Sequence, residues 1–407
     1  SYYLTAKDDG WNVRGMERVS TDNKTWKDNG AILTQDDDES LKDCKFESVS
    51  VLYNKEYNKV VIWAHYEKKS GYATGAMICV SGTPGDPDSF TYSGLIFPNG
   101  VQARDKCVFV DDDNTAYLVA AGNESGEGAN RTMYIHKLTK DWTNVDESQG
   151  YVAKLFEGQY REAPAMVKVD GVYYLFTSKA AGWLPSQGMY ASTKDLYGDW
   201  SDLRLVGNMS SFAGQQNGAA TIKGDQSTNN GFVSASRWWR ASGTPGWVST
   251  PTTFNEGFAS TEFYNKVYYD RKSGVVIPER SGEVISQGKK ATFNGADAKE
   301  TVDGDYQTKT VAEKTWPAIW QVDLEKQYDL KELEVSWYMV NGSEAHYPYI
   351  VYGSNTGKDG DWTKILDKSD ATLANNVCDY GFTSAELSGS YRYVRVEIVK
   401  SRPQNNQ

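Results

Sequence analysis

Cysteine, histidine and basic charge are all scarce in this chain. Of 407 residues four are cysteine and three histidine, and 43 Lys and Arg face 54 Asp and Glu, for a net charge of −11. Cys44, Cys79, Cys107 and Cys378 fall at no paired short spacing, so neither a zinc site nor a disulfide framework is expected, although one bridge among the first three has room to form. An acidic chain with a pI near 5.0 is a poor partner for nucleic acid or an anionic membrane surface, both of which select basic proteins. No apolar run approaches the roughly 20 residues of a membrane span. No secretory leader opens the chain, and Ser1 enters in mid-pattern, which reads as processing or trimming. Helical periodicity is nearly absent as well, which argues against an α or α/β fold.

Aromatic residues are abundant, with 13 Trp and 27 Tyr. Large rings suit strands, and they also make stacking platforms for sugar rings. A length of 407 residues exceeds what one hydrophobic core normally serves, so two domains are expected.

A repeat organises the first two thirds. Val49-Ser50-Val51-Leu52-Tyr53 is followed by a polar turn and then Val60-Val61-Ile62-Trp63-Ala64-His65. Cys107-Val108-Phe109-Val110, Asp111-Asp112-Asp113-Asn114 and Ala116-Tyr117-Leu118-Val119 repeat the pattern, as do Ala165–Val169, Asp170-Gly171 and Val172–Phe176. A looser copy runs from Ala219 to Ala235. Asp-Gly and Asp/Asn clusters between such runs are hairpin signals. Copies end in polar segments carrying Trp26, Phe90, Trp142 or Trp200. Four strands per repeat at this period predict propeller blades. Counting the partial copy that opens at Tyr2, whose first strand would be missing, gives a five-bladed β-propeller over residues 1–284. Beyond it, short alternating strands with turn signals predict a β-sandwich over 285–407. The fold class is therefore all-β.

Just before the first strand of successive repeats stand Glu47, Asp105, Glu162 and Gln215. In a propeller the innermost strands surround one axis, so equivalent positions converge on one mouth of the channel. Acids at strand starts also cap turns, but a set in register over four repeats exceeds what capping requires. Crowded carboxyl groups cannot all ionise freely, and glycoside hydrolysis needs one that keeps its proton for the departing oxygen.

These residues and their surroundings resemble glycoside hydrolase family 43, and most closely its exo-β-1,3-galactanase branch. The stretches that carry the resemblance are Phe46-Glu47-Ser48-Val49, Val61–His65, Ala103-Arg104-Asp105, Arg161-Glu162-Ala163-Pro164-Ala165, Thr177-Ser178 through Gly182-Trp183, and Phe212-Ala213-Gly214-Gln215. The resemblance implies that Glu162 is the general acid and that Asp105 orients it and keeps its proton on. It implies that Glu47 binds the sugar and that Gln215 stands near the attacking water, in lieu of the usual aspartate base. It implies inversion of configuration and no cofactor in the chemistry. Arg104, Trp183 and Trp238 join Glu47 as candidate substrate-binding residues. His65 falls where relatives hold a cation or water, and it reads equally well as a core histidine; His136 reads as structural. Two departures stand where substrate would be read: Ser48-Val49 replace an Arg-Pro pair, and Gln216-Asn217 replace a Ser-Thr pair.

From about residue 291 the chain resembles the discoidin or coagulation-factor type C domain, similar also to carbohydrate-binding module family 32. The cues are Asp303-Gly304-Asp305 through Thr308, Trp320–Leu324, Tyr349–Ser354, Asp361-Trp362-Thr363 and Tyr391–Arg395. Such domains hold calcium beside an Asp-Gly-Asp turn, and hard oxygen ligands suit that ion. Asp303, Asp305 and Thr308 are thus candidate ligands. The expected protein is a secreted, periplasmic or cell-surface-attached, monomeric hydrolase of oligo- or polysaccharide. α-L-Arabinofuranosidase or β-xylosidase activity, and a non-catalytic glycan-binding role, remain open beside the galactan reading.

Overall fold

The computed structural model describes residues 2–7, 10–18, 24–124, 129–182, 184–237, 246–311, 315–338, 347–370 and 381–401. Among these no α-helix occurs, only five single-turn 3₁₀ segments between strands. The all-β expectation holds.

Five consecutive antiparallel sheets follow one another along the first part of the chain. The first has three strands, Tyr2–Lys7, Gly10–Arg18 and Trp26–Thr34. Each of the next four is a four-stranded meander that begins with a long strand: Cys44–Asn54, Gln102–Val110, Arg161–Val169 and Gln215–Ile222. Second strands such as Lys59–Lys68 carry a continuous apolar run, here Val60–Ala64, and residues 60–66 are all buried. A strand covered on both faces needs no polar alternation. The Asp170-Gly171 hairpin has φ of +48° and +79°, the left-handed pair that a type I′ turn demands and that Gly accepts without strain.

By their internal contacts the residues form two compact units. The first comprises residues 1–168, 173–175 and 193–201, and the second residues 169–172, 176–192 and 202–407. The first unit has layered apolar cores, one around Val61, Trp63, Met77 and Leu118, another around Val119, Met133, Ile135 and Leu175. Trp142 closes one of them: its indole N–H donates to Asn114 O at 3.1 Å, and its own carbonyl accepts from Trp63 at 2.8 Å. The recurring tryptophan segments are structural in this copy.

In the second unit a hairpin, Lys266–Asp270 with Val275–Glu279, precedes a sandwich. Its larger sheet has six strands in the order Ala296–Asp297, Lys290–Phe293, Ala318–Asp329, Ser390–Ile398, Tyr349–Ser354 and Thr363–Asp367. A second sheet pairs Glu332–Ser336 with Phe382–Glu386. Tyr349 and Val351 are fully buried between them with Leu324 and Val394.

Cys44, Cys79 and Cys107 are all free thiols, so the bridge that the sequence allowed is not formed; burial pushes the Cys44 and Cys107 thiols up to about 11. Cys378 lies outside the described residues. Among the described residues no helix is long and apolar enough to cross a membrane.

Candidate active site

The four aligned positions lie inside the first strands of their sheets rather than ahead of them, and the reason is a recurrent bulge. Glu47 pairs with His65, but the next pair is Ser50 with Trp63, so Ser48 and Val49 oppose Ala64 alone. Ala103 pairs with Gly122 and Lys106 with Ala120, so Arg104 and Asp105 share one partner. The same break separates Gln216 from Gly218. A bulge bends the strand and re-aims its side chains, and here it occurs beside each site residue for which the register is known. Ser48 and Ala163 both take φ of +49°, a left-handed conformation that costs a non-glycine residue about 1–2 kcal/mol and that concentrates at functional sites.

Two acids and a histidine of the first unit converge. One ligand-type atom each of Glu47, His65 and Asp105 lies within 4.8 Å of the other two. Burial pushes the Asp105 carboxyl above its ordinary value; Glu47 adds to that, while His65, Ser48 and the Ala163 N–H oppose it. Asp105 Oδ1 accepts from Ser48 Oγ at 3.2 Å, and Oδ2 accepts the Ala163 N–H at 3.2 Å. The second bond ties Asp105 to the residue next to Glu162. Glu162 is 7% exposed, and its Oε2 accepts from the Asn130 amide at 3.0 Å. Arg161, beside it, is buried, and burial brings its guanidinium down to about 10 against the opposing charge of Glu162.

Behind Glu47 lies a network that orients it. Tyr72 donates its hydroxyl to Glu47 Oε1 at 2.6 Å. Burial and the Glu47 carboxylate both push the Tyr72 phenol up, so it stays a donor. Lys45 Nζ sits 3.5 Å over the same ring, a cation–π contact. His65 is 1% exposed; its Nε2 is 3.1 Å from Glu67 Oε1 and its Nδ1 3.7 Å from Glu47 Oε2. Glu67 is buried, which works against its charge, yet His65 and the N–H groups of Thr74 (2.7 Å) and Gly75 (2.9 Å) hold its carboxyl below the ordinary range. An ionised Glu67 on Nε2 fixes which His65 nitrogen carries the proton, and it leaves Nδ1 facing the Glu47–Asp105 cluster. Glu47, His65 and Asp105 can thus hold sugar hydroxyls or a cation.

Arg104 is buried at 5% exposure. Its guanidinium donates to Asn123 Oδ1 (2.8 Å), Tyr72 O (2.8 Å) and Gln102 Oε1 (3.2 Å), and it lies 3.4 Å from Glu67. The structure therefore places it behind the cluster, clamping the Tyr72 segment. Trp183 and Trp238 lie outside the described residues. His136 is fully buried on a third strand; its Nδ1 faces the Asn99 amide at 2.8 Å and burial lowers its pKa to about 3, a structural role as expected.

Gln215 belongs to the second unit. It is 5% exposed, opens its strand, and donates from Nε2 to Ser178 Oγ at 3.5 Å. The turn that delivers it contains three successive left-handed residues, Ser211, Phe212 and Ala213, with φ of +49°, +54° and +65°. Gln216 is 1% exposed and turns away from solvent, toward a small cavity that Ser211, Phe212, Ser234 and Thr250 also line.

Sequence reasoning did not find Glu67, Tyr72 or Asn130. The spacing Glu47…His65-Tyr66-Glu67 holds a faint signal, since His65 and Glu67 alternate on one strand face. Asn130 and Tyr72 stand in connecting loops with no pattern to mark them.

Two clustered carboxyl groups, one of them pushed toward keeping its proton, beside a further buried acid on a propeller-type scaffold are the equipment of a glycosidase. The family model "Glycosyl hydrolases family 43" matches residues 1–232, and the chain belongs to that family. The model "NedA-like, galactose-binding domain" matches residues 300–396. No curated protein sequence matches the chain. Among solved structures it is similar to an exo-β-1,3-galactanase from Clostridium thermocellum (22% identity, TM-score 0.55, 95% of each chain covered). It is similar also to an exo-β-1,3-galactanase from Phanerochaete chrysosporium, solved with galactose (18% identity, TM-score 0.56, 99% of this chain and 92% of that one covered). These likenesses establish the fold, a propeller-type domain followed by a sandwich. The enzyme is a glycosidase.

Proposed function

We propose that the enzyme is an inverting, exo-acting hydrolase that releases terminal galactose from galactan-type chains. Glu162 donates the proton to the leaving oxygen, Asp105 orients Glu162 and disfavours its ionisation, Glu47 grips the terminal sugar, and Gln215 holds the attacking water. The observation that carries this reading is the bond from Ala163 N–H to the half-buried, proton-favouring Asp105, within the same cluster as Glu47 and His65. The names of the galactanase structures lean the substrate toward galactan. Domain limits at 1–284 and 285–407 fit the break between the Val275–Glu279 and Lys290–Phe293 strands.

The test is Glu162→Gln, assayed on β-1,3-galactan and on aryl galactosides. Loss of a general acid costs about 10²–10⁴-fold, and an activated leaving group, which needs no proton, restores part of it. An unaltered rate on galactan would end the assignment. Release of arabinose or xylose alone from a panel of aryl glycosides would move the enzyme to another specificity within the family, and binding without turnover would make it a lectin-like protein.

We also propose a calcium ion in the sandwich. Thr308 Oγ1 has three acceptors around it, Asp303 Oδ2 at 2.8 Å, Asp305 O at 3.1 Å and Glu300 O at 3.2 Å. One hydroxyl proton serves only one of them, and surplus oxygens of this hardness suit calcium. A polymer substrate favours work outside the cytoplasm, secreted or periplasmic, and we take the enzyme to be a monomer; light scattering that gave a dimer mass would overturn the latter.

A further inference from the structure

The turn that delivers Gln215 is held from outside the propeller. Asn208 is fully buried, and its side chain faces two ways. Its Oδ1 accepts from Ser210 N (3.1 Å), Ser210 Oγ (3.3 Å) and Phe212 N (2.7 Å), which locks the left-handed residues. Its Nδ2 donates to Gly381 O (3.1 Å) and Ser336 Oγ (2.9 Å), both in the sandwich. Phe212, 2% exposed, packs edge-on against Phe382 at 5.1 Å and Tyr306 at 5.2 Å, and against Phe263 at 5.7 Å. Its carbonyl accepts from Arg237 at 2.9 Å, and Gly214 O accepts from Ser186 N at 3.0 Å. Charged contacts flank this seam: Arg280 bridges Glu262 and Glu334, and Asn265 donates to Glu332 at 2.6 Å.

A large aromatic residue at positive φ is an outlier that persists only where surroundings over-determine it. Here half of those surroundings, Phe382, Tyr306, Gly381 and Ser336, come from the sandwich. We infer that the sandwich domain is a working part of the catalytic apparatus: through Asn208 and Phe212, acting as positioning residues, it fixes the turn that sets Gln215. The inference rests on the role proposed above for Gln215. It makes the domain more than a sugar-binding appendage, because its docking governs turnover even on a substrate too small to reach a distant binding site.

The experiment uses the full chain and an aryl galactoside. Phe382→Ala removes the ring under Phe212 without touching the propeller sequence, and Asn208→Asp keeps the acceptor that caps the turn while losing both donors to the sandwich. Each is expected to lower kcat about 10- to 100-fold, the usual cost of displacing a catalytic group by an ångström or so, with KM changed less than about threefold. Combined with Gln215→Ala, neither should slow the enzyme further, since both act through the same side chain. Phe382→Leu should recover most of the rate. Folding is followed by circular dichroism, and if Phe382→Ala does not fold, Asn208→Asp carries the comparison alone. Folded variants with wild-type kcat, or losses that add to that of Gln215→Ala, overturn the inference. A normal rate for Gln215→Ala itself would instead overturn the assignment of the water-holding residue.

Discussion

Removing one oxygen from Tyr72 isolates the contribution of the Glu47 network. Tyr72→Phe deletes the donor that sits 2.6 Å from Glu47 Oε1 and leaves the ring in place under Lys45. A hydrogen bond to a charged acceptor contributes about 1.5–3 kcal/mol. Tyr72 is 45% exposed and the Glu47 side chain 27%, so water replaces part of what is lost. The lower end applies, about 1–1.5 kcal/mol, or about five- to tenfold, since 1.4 kcal/mol is tenfold. Glu47 is proposed to grip the sugar in ground state and transition state alike, so the loss should appear in KM with kcat nearly unchanged. Steady-state kinetics on an aryl galactoside, with galactose inhibition as a binding readout, measures both. A kcat/KM within about twofold of wild type, or a loss confined to kcat, would refute this reasoning.

Lys106 is expected to contribute a pH dependence of stability. It is buried, donates to Ser50 Oγ at 2.6 Å, and burial brings its pKa down to about 7 from an ordinary 10.5. The unfolded chain therefore holds the extra proton between about pH 7 and 10.5, so stability from this group rises with pH across that window and is lost as pH falls through 7; Lys106→Met should flatten the rise, and an unchanged slope of Tm against pH would contradict it. Calcium at saturating concentration should raise the Tm of the sandwich, by about 2.7 kcal/mol of stability at 100 times Kd, and chelation should reverse it; Asp303→Asn should abolish the response, and a Tm indifferent to calcium would remove the ion from Asp303, Asp305 and Thr308. The Glu162→Gln test described above completes the set.

The propeller sheets were legible because second strands carry apolar runs flanked by turn residues, as in Val60–Ala64, and because hairpins such as Asp170-Gly171 announce themselves chemically. Glu47, Asp105 and Glu162 were singled out in the sequence through their shared offset in the repeat. Their placement just ahead of strands was off because a bulge adds a residue without any compositional signature; nothing in Glu47-Ser48-Val49 tells that two residues will face one partner. Tyr72 and Asn130 were missed because loops carry no period. The partners of Arg104, Asn123 and the Tyr72 carbonyl, come from elements 19 and 32 residues away in the chain, which only the fold brings near.

The bulges have a bearing on how such a site can change. A regular strand ties every side chain to a face by parity, so altering what points into a pocket would disturb what points into the core. Where two residues oppose one, parity is reset, and the stub ahead of the reset is free of the code that the rest of the strand obeys. Excising one residue at Ser48 or Val49 would restore regular alternation while Glu47 stayed opposite His65 and Val51, Leu52 and Tyr53 kept their places. The bulge thereby leaves a short margin beside Glu47 where residues can be gained or lost without reopening the packing beneath.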